Sequence, residues 1–322
     1  MKVSRRALLA GAVAVAAVSA SPVFAQDKPV IGILPKTVIN DVFMNNVAEF
    51  AKRKGAELGV VVEVNSVSGH TAVEEQVAAM EALISRKVAG IALAALDSKG
   101  LAPVVKRARE AGIPVVLIDS GVETDKSNYV SLVATDNVAA SGLAANYAAA
   151  LLSYRGNVAQ LEGEPGSETA AMRRQGFHDT IAKYPDIKLV SSITGHWTTP
   201  GAVEATEAIL SSNPEVNLIF ASSDLMAVGA AEVLKRRGRG DVLVIGFDGI
   251  PEGTDLIKAG RAAGDVSQSS KGMGEIAIET LAQIALGQKK AEDFPKRIDS
   301  GMLLLHRWNV DEYRKTILGL SN

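Results

Sequence analysis

The feature that most constrains this chain is a repeating alternation. A short run of apolar residues is followed by a longer stretch whose apolar residues recur every three or four positions. Val30-Ile31-Gly32-Ile33-Leu34 is apolar throughout, which suits a strand covered on both faces. The stretch after it places Phe43, Val47, Phe50 and Ala51 on one helical face. Gly59–Val64 reads as the second strand, and Val73, Val77, Met80 and Ile84 as the stripe of the next helix. Ile91-Ala92-Leu93 is the third strand; the helix after it takes Asp97 as its N-cap and Gly112 just past its end. Ile113–Asp119 is the fourth. The rhythm restarts after about residue 137, with strands at Val158–Leu161, Lys188–Ile193, Leu218–Ala221 and Val242–Phe247 and a helix opened by Thr199-Pro200. Such alternation produces parallel strands with right-handed crossovers and helices on both faces. The expected fold class is therefore α/β, with two doubly wound parallel-sheet domains. No residue-level repeat relates the halves, and no Ser/Pro/Gly-rich linker separates them.

The chain begins differently. Lys2, Arg5 and Arg6 precede an apolar run from Ala7 to Ala20, and Val23-Phe24-Ala25 puts small residues at −3 and −1 of a cleavage site. Residues 1–25 read as a secretory signal peptide cut between Ala25 and Gln26, so the mature protein is expected outside the cytoplasm. Ser4-Arg5-Arg6-Ala7-Leu8-Leu9 also fits a twin-arginine signal, which leaves the export route open. No later segment reaches the roughly 18 uninterrupted apolar residues of a membrane span. The 322-residue sequence has no cysteine, which excludes disulfides, thiolate nucleophiles and cysteine-held metal. Its four histidines (His70, His178, His196, His306) are scattered, so neither a metal site nor a cofactor is expected. Without the signal peptide, 31 Lys and Arg face 36 Asp and Glu. A chain with that balance is not expected to bind nucleic acid, which needs surplus cations. Lys235-Arg236-Arg237-Gly238-Arg239 has the composition of a phosphate patch, but cations closing a helix C-terminus explain it better.

In doubly wound sheets, ligands bind beyond the carboxyl ends of the strands, and between domains where two sets of ends face each other. Those positions are Lys36–Phe43, Ala94–Ser98, Asp119-Ser120, Glu162–Arg173, Ser222–Asp224 and Phe247-Asp248. Residue type alone leaves two readings for several of them. Asp119 is a ligand contact or a solvated strand end; Trp197 is a core residue or an aromatic plate.

Six segments lie in the order and spacing of one family. They are Asn40-Asp41-Val42-Phe43, Ile113–Asp119, Ala134-Thr135-Asp136-Asn137, Arg173-Arg174-Gln175-Gly176-Phe177, Phe220–Asp224 with Met226 and Gly229, and Val244–Gly249. On these the chain resembles the ribose-type periplasmic sugar-binding proteins of ABC importers over roughly residues 29–305. The resemblance implies three hinge crossings, with one domain at 27–135 plus 269–297 and the other at 136–268 plus 298–322. It implies capture of a sugar or polyol and delivery to an inner-membrane permease; the alternative is a sensor that presents a sugar or autoinducer-2-like signal to a membrane partner, a chemoreceptor or sensor kinase. It places ligand contacts at Asp119, Arg173 and Asp248, amides at Asn40 and Gln268, and aromatic plates at Phe43 and Trp197. Thr135 falls in one of the matching segments and is carried with the site. Trp308 lies beyond the matched region and is read as packing.

The chain also departs from the ribose pattern. Ser120 stands where a second Arg follows Asp119, Ala94 where the third strand ends in Asn, Ser223 where an amide stands, and Val42 where a Phe stands. Lys36 and Glu164 are charges where the ribose type has Ser and an apolar residue; they either replace lost ligand contacts or sit on the cleft rim. Pro35-Lys36 and Asp119-Ser120 are also similar to the autoinducer-2 receptor branch. These departures point away from ribose and toward a polyol, a deoxy or branched sugar, or a small furanose. A sugar-responsive repressor would need a helix-turn-helix where the signal peptide lies. No P-loop, GxGxxG, GxSxG or HExxH is present. Asp119 and Asp248 as a glycosidase acid/base pair are the enzyme alternative; no catalytic residue is expected on the main reading.

Overall fold

The computed structural model describes residues 28–320, so the signal-peptide reading lies outside the described residues. The first half lays down β1 (Val30–Leu34), α1 (Val42–Leu58), β2 (Val61–Val64), α2 (Val73–Ser85), β3 (Gly90–Leu93), α3 (Ala102–Glu110), β4 (Val115–Ile118) and β5 (Ser131–Ala134). The second continues with α4 (Asn137–Leu151), β6 (Gly156–Glu162), α5 (Glu168–Ile181), β7 (Ile187–Thr194), α6 (Thr199–Ser212), β8 (Leu218–Ala221), α7 (Asp224–Arg236), β9 (Leu243–Asp248), α8 (Pro251–Lys258) and β10 (Gly264–Gln268). Then follow α9 (Ser270–Ala285), β11 (Arg297–Asp299), β12 (Met302–Leu305) and α10 (Val310–Thr316).

These strands form two six-stranded sheets, ordered β2-β1-β3-β4-β5-β11 and β7-β6-β8-β9-β10-β12. All pairings are parallel except β12 against β10. In each sheet the order reverses beside the first strand, between β1 and β3 and between β6 and β8, which is where a doubly wound sheet opens a crevice. Apolar clusters cover both faces of each sheet, so the central strands are buried throughout. The chain passes between the sheets three times: after β5, after β10 and between β11 and β12. The hydroxyl of Thr135 meets Ser300 Oγ at 3.1 Å and donates to the Gly301 carbonyl at 3.3 Å, tying the first crossing to the third.

Several local expectations move. Gly59 caps α1 in a left-handed conformation (φ 75°) instead of opening β2. Asp97 accepts from the N–H groups of Lys99 and Gly100, one turn ahead of α3, whose N-cap is Leu101. The cap of α6 is Thr198, with Pro200 at the second helical position. Trp308 is not packing: it is 72% exposed, with Arg307 over its ring at 4.2 Å. Lys235 and Arg236 do close α7, and Glu207 takes both Arg236 and Arg237.

Candidate functional site

The carboxyl ends of both sheets face one cavity between the lobes, the place where a doubly wound fold holds a small molecule. From the first sheet's lobe it is lined by Lys36, Asp41, Phe43, Met44, His70 and Asp119. The second sheet's lobe supplies Thr169, Arg173, Trp197, Ser223, Leu225, Asp248, Ile250 and Gln268.

On the first lobe, β4 ends and the chain turns at Asp119 in a left-handed conformation (φ 60°), which Asp tolerates better than most residues. Its carboxylate is buried and meets Lys36 Nζ at 2.6 Å. Ser120 Oγ donates to the same carboxylate at 3.2 Å. Burial alone would raise the Asp119 pKa, but Lys36 and Arg173 outweigh it and hold the carboxyl below its usual range. Asp41 caps α1 by accepting the Met44 N–H at 2.9 Å. Burial pushes its pKa up to about 6, against the pull of that N–H and of Lys36. His70 faces it with Nε2 3.6 Å from Asp41 Oδ2. Burial and then Lys36 bring His70 down to about 4, so it is neutral at pH 7.

On the second lobe, α5 carries Arg173, which is only 2% exposed. Its Nε donates to Asn137 Oδ1 at 2.8 Å, and its Nη1 to the Ser222 carbonyl at 2.5 Å and to Asp248 Oδ1 at 3.3 Å. The guanidinium lies 3.7 Å over the Phe247 ring and 5.5 Å from that of Trp197. Gln268 Nε2 donates to Asp248 Oδ1 at 2.7 Å, while Gln268 Oε1 is buried with no partner among the described residues. Burial raises Asp248 to about 7, with Arg173 opposing it. The Trp197 ring is seated on Gly163, where a Cβ would fall inside the indole. The lobes touch beside the cavity: Thr169 Oγ1 donates to the Asp119 carbonyl at 3.2 Å, and Gly121 N–H to Glu168 Oε2 at 2.5 Å.

Of the residues singled out in the sequence, Lys36, Phe43, Asp119, Arg173, Trp197, Ser223, Asp248 and Gln268 are brought together. Four are not. Ser120 stands behind Asp119 and Thr135 at the crossings. Asn40 and Glu164 line an outer groove, where Glu164 pairs with His196 at 2.8 Å. Lys36 is thus no rim charge, whereas Glu164 is. Ala94 does not line the cavity either; its carbonyl accepts Gln76 Nε2 at 2.9 Å. The cation that the resemblance placed at 120 is supplied by Lys36, so Ser120 leaves no vacancy beside Asp119. Sequence reasoning missed Asp41 and His70. Asp41 sits inside a segment the resemblance quoted; His70, on the loop after edge strand β2, carried no signal. Among the described residues no group of three or more His, Cys, Asp or Glu is arranged to hold a metal ion, and no helix is long and apolar enough to cross a membrane.

Comparison with known proteins agrees with this architecture. The model of the periplasmic binding protein domain matches residues 31–289. A ribose import binding protein of Salmonella typhimurium is 28% identical over 92% of this chain and 97% of its own length. A D-apiose import binding protein of Actinobacillus succinogenes is 32% identical over 79% of this chain and 80% of its own. A carbohydrate transporter solute-binding protein from Agrobacterium radiobacter, solved with D-arabinose, superposes with a TM-score of 0.84 at 27% identity, covering 92% of this chain and all of that one.

Proposed function

The chain belongs to the periplasmic binding protein domain family, and from that premise we propose that it captures a neutral sugar or polyol in the interdomain cleft and delivers it to an ABC-type permease. One observation carries the reading. Two buried cation–carboxylate pairs, Lys36–Asp119 from one lobe and Arg173–Asp248 from the other, converge on a single cavity walled by the Trp197 ring. A sugar needs an apolar plate for its ring face and charged hydrogen-bonding groups for its hydroxyls. Lys36 and Arg173 donate; Asp119, Asp248 and the free Gln268 Oε1 accept. Phe43 lines the cavity from the other lobe than Trp197, and Ser223 adds a hydroxyl. Asn40 and Glu164 serve the mouth, and Ser120 and Thr135 act indirectly, through Asp119 and the crossings.

The pairing also sets the ligand's charge. Each cation already has its own carboxylate, and Asp41 adds a further acid. A sugar acid or phosphate finds no unpaired cation, whereas a neutral polyol replaces water at groups that stay balanced. The relatives named for ribose and D-apiose import and the D-arabinose complex support a small neutral sugar. The ribose-type relatives and the N-terminal pattern support a periplasmic location. The protein is a binder: Asp119 and Asp248 serve as hydrogen-bond acceptors.

The experiment is a thermal-shift screen of pentoses, hexoses, polyols, furanoses and the matching aldonic acids. A ligand at a hundredfold its Kd adds about 2.7 kcal/mol of stability. Stabilisation by a neutral member supports the reading; stabilisation by acids alone refutes it.

A further inference from the structure

Beneath the cavity lies a second pair of acids that the ligand site does not use. Asp224 opens α7 and Asp265 sits in β10; they are 0% and 1% exposed. Asp224 Oδ2 accepts the Ile250 N–H at 2.9 Å. Its other oxygen, Oδ1, has no well-formed hydrogen bond among the described residues, and neither has either oxygen of Asp265, although the Gly249 N–H lies close enough to Asp265 to pull its pKa down against burial. The place where the two groups meet is marked by Gly246. A Cβ there would sit 2.5 Å from Asp224 Oδ1 and 2.6 Å from Asp265 Oδ2, so both orphan oxygens crowd the same point. Gly253 packs against Asp224 from the other side. Two buried carboxylates that converge on one point without a cation of their own do not both ionise.

We infer that Asp224 and Asp265 share one proton, with Asp224 Oδ1–H donating to Asp265 Oδ2, and that this neutral–anionic pair is the positioning device for Asp248. The carbonyl oxygen of the protonated Asp224 is then the atom that accepts the Ile250 N–H. Tyr313 Oη donates to the Gly249 carbonyl at 3.1 Å. Together they pin the turn that follows β9. That turn needs pinning, because Asp248 is held at φ 123°, a region a side chain adopts only under constraint. Burial pushes both acids up, Asp224 the more, which agrees with Asp224 as the protonated member. The other titratable groups facing the pair are Asp248 on β9, Arg173 on α5 and Tyr313 on α10. Only Arg173 is a cation, and its nearer acid is Asp248. Loss of the shared proton leaves two adjacent carboxylates, expels Asp224 from Ile250 and releases Asp248 from the cleft wall.

The test needs no ligand and so stands apart from the sugar-binding reading. Asp224→Asn keeps a carbonyl for Ile250 and supplies a permanent N–H toward Asp265, whereas Asp224→Ala removes both. Carboxyl 13C NMR of the whole protein, titrated from pH 4 to 9, counts protons on the pair. Hydrogen exchange of the Ile250 amide reports the turn. The expected result is one proton retained on the pair at pH 7 and Ile250 protection that falls as pH rises through its loss. Asp224→Asn should keep that protection, with its pH dependence gone. Asp224→Ala should exchange at least tenfold faster at all pH. Two ionised carboxylates at pH 7, or equal loss of protection in both variants, would overturn the inference.

Discussion

Replacing Asp119 by Asn separates the cost of a buried cation from the loss of a ligand contact. The substitution keeps the shape, and an amide oxygen still accepts from Ser120, but Lys36 Nζ loses the carboxylate it meets at 2.6 Å. Both side chains are nearly sealed from solvent, at 6% and 3% exposure. Breaking one partner of such a pair costs about 3–5 kcal/mol, because the remaining charge keeps its desolvation penalty. Lys36→Met is expected to cost less, about 2 kcal/mol, since Asp119 retains Arg173 nearby and the Ser120 hydroxyl. The double variant Lys36→Met/Asp119→Asn removes the stranded cation and should be more stable than Asp119→Asn alone, with a coupling of up to about 3 kcal/mol. Urea denaturation at pH 7 measures all four proteins, and comparable m-values license the comparison. The sign with pH follows from the lowered Asp119 pKa. Its contribution is present above the ordinary carboxylate pKa and is lost as pH falls through the folded value. A cost below about 1 kcal/mol for Asp119→Asn, or strict additivity in the double variant, would refute the paired-charge account.

Arg173→Ala should weaken ligand binding by several kcal/mol, read by calorimetry, because it strips charged donors from the cleft and leaves Asp248 buried without its cation. Gly163→Ala should lower affinity more than tenfold by displacing Trp197, while Gly69→Ala, with nothing within 4 Å, leaves it unchanged. Asp41 and Asp248 titrate near 6 and 7, above the ordinary 3.8, so the share of apoprotein stability they supply is full below pH 4 and lost by about pH 7; thermal melts across that range check it. Ligand should draw the lobes together, with a smaller radius of gyration by X-ray scattering, and an unchanged radius at saturation counts against hinge closure.

The strands legible in the sequence were short runs dominated by apolar residues, even where one or two polar residues interrupt them, as Glu63 does in β2 and Gln160 in β6. β5 and β10 were not read, although both are buried. β10 carries Asp265, Ser267 and Gln268, polar residues that face partners inside: Ser267 Oγ donates to the Leu303 carbonyl, and Gln268 reaches Asp248. Hydropathy registers the residue and not its partner, so such a strand looks like a loop. The site was legible as a set of strand-end loops, because doubly wound topology puts function there whatever the loop contains. Whether a charge in those loops points inward was not legible. Lys36 and Glu164 looked alike in sequence; one is buried against Asp119 and the other opens onto the outer groove. His70 and the Asp224–Asp265 contact depend on where distant elements pack, which no local pattern encodes.

The central claim, that the cleft holds a neutral sugar between its two ion pairs, is tested most directly by isothermal titration of the mature protein. The titrants are D-ribose, D-apiose, D-arabinose and their aldonic acids, each run in parallel on Arg173→Ala. The account predicts micromolar or tighter binding of a neutral sugar, no heat from the corresponding acid, and at least a hundredfold weaker binding in the variant, about 2.7 kcal/mol. Tight binding of an acid in place of its neutral sugar, or a neutral sugar bound equally well by Arg173→Ala, would contradict it.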